Sequence, residues 1–148
     1  CLEAEKSPTA KVSHHRLHEN FEGIDETIAL SSMYAANHLG ARVVATLTQT
    51  GKTALWMSRI SSNIAIFAMS DNYKTLKKVT IYRGVYPCYI DKTSADDWND
   101  VNSHVIENLE DRAEVTNGDI VIVTKGMHKD KSGGTNLMKI LRVGDGNY

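Results

Sequence analysis

Three short runs of apolar residues constrain most strongly what this chain can fold into. They occupy residues 42–47, 63–69 and 120–124, and none approaches the length of a bilayer-spanning helix. The run at 63–69 is apolar at nearly every position, which is typical of a strand covered on both faces of a parallel sheet. Because helix-like segments separate the runs, the sequence predicts an α/β fold with three layers, α/β/α, around a mostly parallel sheet.

Two further strands complete a predicted sheet of five. Residues 85–90 form the third strand in chain order, and Pro87 places it at a sheet edge because proline has no N–H for a central ladder. Residues 137–143 form the last strand. It follows a loop of hairpin length, residues 126–136, and is therefore expected to run antiparallel.

Four helices are predicted between the strands, at residues 24–39, 54–60 and 73–80 and in a long segment that opens at Ser94. Gly40 is expected to end the first helix, and Ser70 or Asp71 to cap the third. The first helix should bury a stripe formed by Ile24, Ile28, Ala35 and Leu39. Its small residues should let it lie close against a sheet, with Met33 and Tyr34 filling gaps; they are Ala29, Ser31, Ser32, Ala35 and Ala36. The fourth should bury a stripe formed by Trp98, Val101, Val105, Ile106 and Leu109.

The size and charge of the chain limit its domain count and its partners. With 148 residues, 41% of them hydrophobic, it is long enough for one core, assigned to residues 23–148 after a polar connector at 1–22. Its 17 Lys and Arg against 18 Asp and Glu predict no binding to nucleic acid or to a membrane surface. Two cysteines, Cys1 and Cys88, suggest no disulfide framework, which favours a reducing, cytoplasmic location. A start at Cys1 instead of Met leads us to expect a piece of a longer chain.

The most informative functional feature is the loop between the first predicted strand and the helix after it. It contains Thr48, Gln49, Thr50, Gly51, Lys52 and Thr53. The first N–H groups of a helix have no partner within it, and the helix dipole leaves partial positive charge there. Threonine hydroxyls, a glycine that lets the backbone approach closely and the Lys52 cation would complete a site for one phosphate group.

Two other interpretations of this loop remain open. Threonine and glycine also form ordinary strand-to-helix connections, in which a hydroxyl only caps the helix. The run Gly51-Lys52-Thr53 is similar to the end of a nucleotide-binding P-loop, which would make the chain a small autonomous nucleotide-dependent phosphotransferase. That signature requires a glycine five residues before Gly51, however, where Thr46 stands.

A glycine-rich loop near the end of the chain is a second candidate feature. It includes Ser132, Gly133, Gly134 and Thr135, which could fold over an anion bound at residues 48–53, although an ordinary hairpin explains the same residues. Elsewhere, Cys88 and the histidines at 14, 15 and 18 lack partners at a recognisable catalytic or metal-ligand spacing. No catalytic or metal-binding residue is therefore assigned.

Four stretches, in order along the chain, resemble the C-terminal domain of pyruvate kinases. They are residues 26–36, residues 47–59, Tyr82-Arg83-Gly84-Val85 with Pro87, and Gly118-Asp119-Ile120-Val121-Ile122-Val123 leading to Gly134-Thr135-Asn136. The resemblance implies a regulatory domain that binds a phosphorylated allosteric effector and contributes to a homotetramer, with no catalytic residues or cofactor of its own. The catalytic barrel of the full-length enzyme, with its magnesium and potassium ions, would convert phosphoenolpyruvate and ADP to pyruvate and ATP.

The resemblance also implies where the effector binds and which effector it is. In this family the effector phosphate sits in the loop that corresponds to residues 48–53, and the glycine-rich loop closes over the sugar. Members activated by fructose 1,6-bisphosphate typically hold its second phosphate with an arginine from the helix that matches residues 95–113. Here that segment has a single arginine, Arg112, near its end, so AMP or a sugar monophosphate is the expected effector.

Overall fold

A computed structural model of the chain describes residues 21, 23–91, 98–126 and 134–146. The connector expected at residues 1–22 therefore lies, except for Phe21, outside the described residues. The helices are α1 (Ile24–Leu39), α2 (Lys52–Ser58), α3 (Tyr73–Val79) and α4 (Trp98–Asp111). The strands are β1 (Val43–Leu47), β2 (Ala65–Ser70), β3 (Val85–Tyr89), β4 (Ile120–Gly126) and β5 (Thr135–Arg142).

The five strands form one sheet in the order β3-β2-β1-β4-β5. The neighbours β3, β2, β1 and β4 run parallel, and β5 pairs antiparallel with β4. The predicted fold class, with its antiparallel last strand, is confirmed. Pro87 lies in the edge strand β3, as its missing N–H requires.

Helices cover both faces of the sheet. On one face, α4 packs with Val101, Val105, Ile106 and Leu109 against alternate residues of all five strands. These four members of the stripe predicted for the last helix are confirmed, whereas the Trp98 side chain and Ser94 lie outside the described part. On the other face, α1 and α2, joined by Val79 of α3, form the second half of the core. The sheet is therefore the middle layer of three.

The stripe predicted for α1 is wrong, although the bounds of the helix are confirmed. Ile24 is 70% exposed and Leu39 is 48% exposed. The buried face consists instead of Asp25, Ala29, Leu30, Ser32, Met33 and Ala36. The small side chains of this face let it lie close to the sheet, as the sequence indicated, and Met33 is buried among them. Gly40 ends the helix at φ 63°, in the left-handed conformation expected of it.

Several boundaries differ from those predicted. The helix α2 begins at Lys52 and ends at Ser58, and β5 begins at Thr135, two residues before the predicted start. The cap of α3 is neither Ser70 nor Asp71 but Asn72, whose side chain accepts a hydrogen bond from the Lys74 N–H at 3.0 Å. The error at the cap concerns residues with interchangeable local propensities, because serine, aspartate and asparagine all make good caps.

Candidate functional site

The loop at residues 48–53 lies at the carboxyl end of β1, a central strand of the parallel part of the sheet. The Thr48 N–H donates to the Met69 carbonyl at 3.0 Å, which joins the start of the loop to β2. Ligands of open α/β sheets bind beyond the carboxyl ends of the strands. The loop therefore occupies the edge of the sheet at which a ligand is expected.

Thr48 and Gly51 together fix the conformation of the loop. The buried Thr48 hydroxyl accepts a hydrogen bond from the Gly51 N–H at 2.9 Å. Gly51 has φ 76° and ψ 5°, and it precedes the first residue of α2. A Cβ atom at this position would lie 2.7 Å from Val79 Cγ1 of α3. Thr48 therefore shapes the loop from within, and glycine is required at 51 both for its φ and for lack of space.

The helix α3 supports the loop from its other side. The Thr75 hydroxyl donates to the Gln49 carbonyl, and Lys78 Nζ donates to the Thr50 carbonyl at 3.3 Å. Lys78 was not predicted to be part of the site. The structure brings its cation to the loop, a contact for which nothing in the local sequence gives a signal, because residues 50 and 78 belong to different elements.

The start of α2 has polar groups that no side chain caps. Gly51 is the N-cap residue and has no side chain with which to accept from the first turn. The leading N–H groups of a helix lack intrahelical partners and carry partial positive charge. Since α2 has only 7 residues, the partial charge at its start adds to the attraction that the surrounding side chains exert on an anion and does not replace it.

Lys52, the cation of the loop, forms an ion pair with Asp25. Its Nζ lies 2.9 Å from Asp25 Oδ2 in the first turn of α1. The lysine side chain is 49% exposed and the aspartate side chain 9% exposed. Sequence reasoning missed Asp25, because an acidic residue in the first turn of a helix is ordinary and residues 25 and 52 are distant in sequence.

The two loops singled out in the sequence meet through a hydrogen bond. Thr53 Oγ1 lies 2.7 Å from Thr135 Oγ1, and both side chains are buried. Gly134 lies next to Gly126, since a Cβ added to Gly126 would be 2.6 Å from the Gly134 carbonyl oxygen. Ser132 and Gly133 lie outside the described residues. Of the predicted second loop, Thr135 is thus placed beside the first, and Gly134 lies beside the end of β4.

The family described as "Pyruvate kinase, alpha/beta domain" matches residues 26–141 of the chain. The chain belongs to this family. It is 46% identical to pyruvate kinase II of Salmonella typhimurium and 48% identical to the pyruvate kinase of Buchnera aphidicola subsp. Schizaphis graminum. Each alignment covers 97% of this chain and 30% of the relative. The pyruvate kinase of Haemophilus influenzae is 44% identical over 85% of this chain and 26% of its own length.

As a pyruvate kinase alpha/beta domain, the chain has no geometry for a nucleotide-cradling P-loop. Thr46, where that signature needs a glycine, lies inside β1, paired with Ala68 on one side and Thr124 on the other. A residue within a central strand cannot contribute to a phosphate-wrapping loop. Within the described residues, no group of three or more His, Cys, Asp or Glu side chains is arranged to hold a metal ion. The family and this geometry do not favour the autonomous phosphotransferase.

Cys88 of the pyruvate kinase alpha/beta domain is a packed core residue, as expected. Its side chain is buried, and Sγ lies 3.3 Å from Asn108 Oδ1. Burial raises the pKa of the Cys88 thiol above its ordinary value, against the opposing charge of Arg112. The thiol therefore stays protonated at neutral pH and is a poor nucleophile. No helix in the described part of the chain is both long and apolar enough to cross a membrane.

Proposed function

We propose that this chain is the regulatory domain of a pyruvate kinase and that it binds the phosphate group of an allosteric effector at residues 48–53. The observation that carries the proposal is the loop itself. It lies at the carboxyl end of β1 and leads into a helix capped by Gly51, with the half-exposed Lys52 as the first helical residue. A phosphate there would receive backbone N–H groups of the helix start, the Thr50 hydroxyl and a full positive charge.

Two cations support this assignment. Lys52 begins α2, and Lys78 reaches the loop from α3 to donate to the Thr50 carbonyl. Both side chains are exposed to solvent, so an incoming anion can reach them without opening the core. Gln49 is also exposed, whereas Thr48 and Thr53 are buried and hold the backbone of the loop in place.

The favoured effector is AMP or a sugar monophosphate. The helix α4 contains neither lysine nor arginine, and Arg112 just beyond it donates to Asn108 Oδ1 at 3.4 Å. A second phosphate, as in fructose 1,6-bisphosphate, would therefore find no cation along α4. The charges at residues 48–53 suit one phosphate group.

The remainder of the enzyme would supply the chemistry. The chain spans about a third of the length of the curated relatives it matches. We propose that the longer protein transfers phosphoryl from phosphoenolpyruvate to ADP, with its magnesium and potassium ions held in a catalytic barrel outside this chain. The effector would act by population shift, changing activity only as far as it binds two arrangements of the subunits with different affinity.

Association with further copies of the chain is part of this proposal. The apolar side chains Ile24, Ile28, Ala35 and Leu39, here called the outer stripe of α1, flank the buried face of the helix, and Ala35 also packs against the core. Ile24 and Leu39 are exposed. An exposed apolar stripe on a helix marks an interaction surface, and we assign it to homo-oligomer formation.

The first test is thermal unfolding of the chain with AMP, ribose 5-phosphate, glucose 6-phosphate and fructose 1,6-bisphosphate, with inorganic phosphate for comparison. A ligand at a hundredfold excess over its Kd stabilises the folded state by about 2.7 kcal/mol and raises Tm by several degrees. The variant Lys52→Ala should lose this increase, measured against its own ligand-free Tm, because it lacks the cation of the loop. The control Lys77→Ala removes an exposed lysine of α3 and should keep the full increase.

An equal rise of Tm in Lys52→Ala and in the unsubstituted chain would contradict the assignment of the site. A magnesium-dependent hydrolysis or transfer assay with ATP separates the rival function. Turnover by this chain alone, abolished in Lys52→Ala, would show a phosphotransferase instead of a regulatory domain.

A further inference from the structure

The ion pair between Lys52 and Asp25 joins two residues in unequal surroundings. The lysine side chain is half exposed, while the aspartate side chain is 9% exposed and lies on the buried face of α1. Within the described residues, no hydrogen-bond donor is aligned on Asp25 Oδ2, so the neighbouring ammonium group at 2.9 Å is what neutralises it. A carboxylate that is largely removed from water depends strongly on its counter-charge.

We propose that Asp25 competes with the effector phosphate for Lys52, so that effector binding exchanges one ion-pair partner of this lysine for another. The proposal rests on the proposed function, since it concerns the same loop, and it adds a residue that regulates the affinity of that loop. Asp25 is a positioning residue here, because it acts through Lys52 and not by touching the effector.

The charges around the loop show why the two anions compete. Asp25 offsets the positive charge of Lys52, and in the part of the chain that the structure describes Lys78 is a second cation in contact with the loop. A phosphate group bound at Lys52 would be repelled by the carboxylate 2.9 Å from that same ammonium group. Binding must therefore either draw Lys52 away from Asp25 or accept this repulsion, and both lower the affinity.

The exchange also connects the loop to α1. When Lys52 turns to the phosphate, the buried Asp25 loses this counter-charge, although the partial positive charge of the helix start remains. The first turn of α1 is closed by Thr27, whose N–H and hydroxyl both bond to the Gly23 carbonyl at 3.0 Å. This turn should therefore loosen on binding, and α1 also carries the outer stripe assigned to subunit contact.

Isothermal titration calorimetry of the 148-residue chain with inorganic phosphate, at fixed pH and ionic strength, tests the proposal. Asp25→Asn should lower the Kd for phosphate about fivefold to tenfold, because the competing charge is gone while the side chain keeps its size. Lys52→Gln should abolish detectable binding, and Asp25→Asn combined with Lys52→Gln should bind no better than Lys52→Gln alone. The matched control Glu26→Gln, which removes the same charge from the next residue, should change Kd less than twofold.

A second measurement does not depend on how Asp25→Asn folds. In the unsubstituted chain, saturating phosphate should speed hydrogen exchange of the Thr27 amide severalfold relative to the amide of Leu76, which closes the first turn of α3. The proposed competition between Asp25 and phosphate is overturned if the hydrogen-exchange rate of the Thr27 amide relative to the Leu76 amide does not change. It is also overturned if the Kd of Asp25→Asn is equal to or higher than that of the unsubstituted chain, even if Lys52→Gln loses binding. Absence of phosphate binding in both the unsubstituted chain and Asp25→Asn overturns the proposed function as well, so the two failures are distinguishable.

Discussion

At the scale of single residues, Gly51 decides the conformation of the candidate site. It combines three roles that no other residue type fills together. Its φ of 76° is left-handed, its N–H is bound to Thr48 Oγ1, and its Cα faces Val79 too closely for a side chain. The conformation of the loop therefore depends on the absence of a side chain at position 51 as much as on the threonines around it.

Gly51→Ala should lower the free energy of unfolding by about 2–4 kcal/mol. The left-handed backbone costs an alanine about 1–2 kcal/mol, and the added Cβ would crowd Val79 Cγ1 at 2.7 Å. Gly84→Ala is the matched control, since Gly84 has φ 67° with nothing within 4 Å of the added Cβ. It should lose only the backbone part, about 1–2 kcal/mol, in urea denaturation. Equal losses in the two variants would contradict the packing argument.

Part of the site could be predicted from residues that are adjacent in the sequence. Gly51, Lys52 and Thr53 stand out because a strand, a hydroxyl-rich turn and a helix follow one another along the chain. Asp25 and Lys78 could not be found in that way. Their contacts with the loop depend on how α1 and α3 pack beside it, and no spacing between adjacent residues encodes that arrangement.

At the scale of elements, α1 shows how an apolar pattern can be read correctly and assigned to the wrong surface. The outer stripe has the spacing of a buried helix face, yet the sheet is covered by the face that contains Ala29, Ser32 and Ala36. Hydrophobicity alone favoured isoleucine and leucine. The small side chains pointed to the face that approaches the sheet, and that part of the prediction is confirmed.

The hydrogen bond between Thr53 and Thr135 connects α2 to the first residue of β5. Thr53→Val should lower the free energy of unfolding by about 1–3 kcal/mol, because it leaves the buried Thr135 hydroxyl without this partner. Thr53→Val combined with Thr135→Val removes both hydroxyls and should recover part of that loss. Chemical denaturation of the two single variants and the double variant measures the coupling. Strictly additive losses would show that the hydrogen bond contributes nothing.

At the scale of the whole molecule, the sequence was sufficient for the architecture. The runs that became β1, β2 and β4 are apolar on both faces, which only a strand covered by two helical layers explains. The edge position of β3 followed from Pro87 and the direction of β5 from its short connection. The ends of helices and strands were less predictable. At α2, Lys52 and Thr53 were assigned to the loop but form the first residues of the helix.

Sedimentation of the chain should show an oligomer that depends on the outer stripe of α1. Ile24→Lys combined with Leu39→Lys places two charges on the proposed contact and should shift the chain to a folded monomer, since both side chains are exposed. Its Tm should fall only by the contribution of subunit association. Ile81→Lys is the matched control, because Ile81 is also an exposed isoleucine but lies after α3. A monomeric unsubstituted chain, or an oligomer that persists in the double variant, would contradict this assignment.

The place of β1 in the sheet determines when the site can form during synthesis. Val43 of β1 pairs with Val121 of β4. The hydrogen bond between Thr53 and Thr135, at the start of β5, joins residues that are 82 positions apart. A central strand whose partners arrive so late makes folding wait for long-range contacts, which slows it. At about 5–20 residues per second, several seconds pass between synthesis of the loop and that of the strand that completes its surroundings. Until then the nascent chain carries the Lys52 loop without the contacts that shape it, so the proposed effector recognition would begin only after β5 has been made.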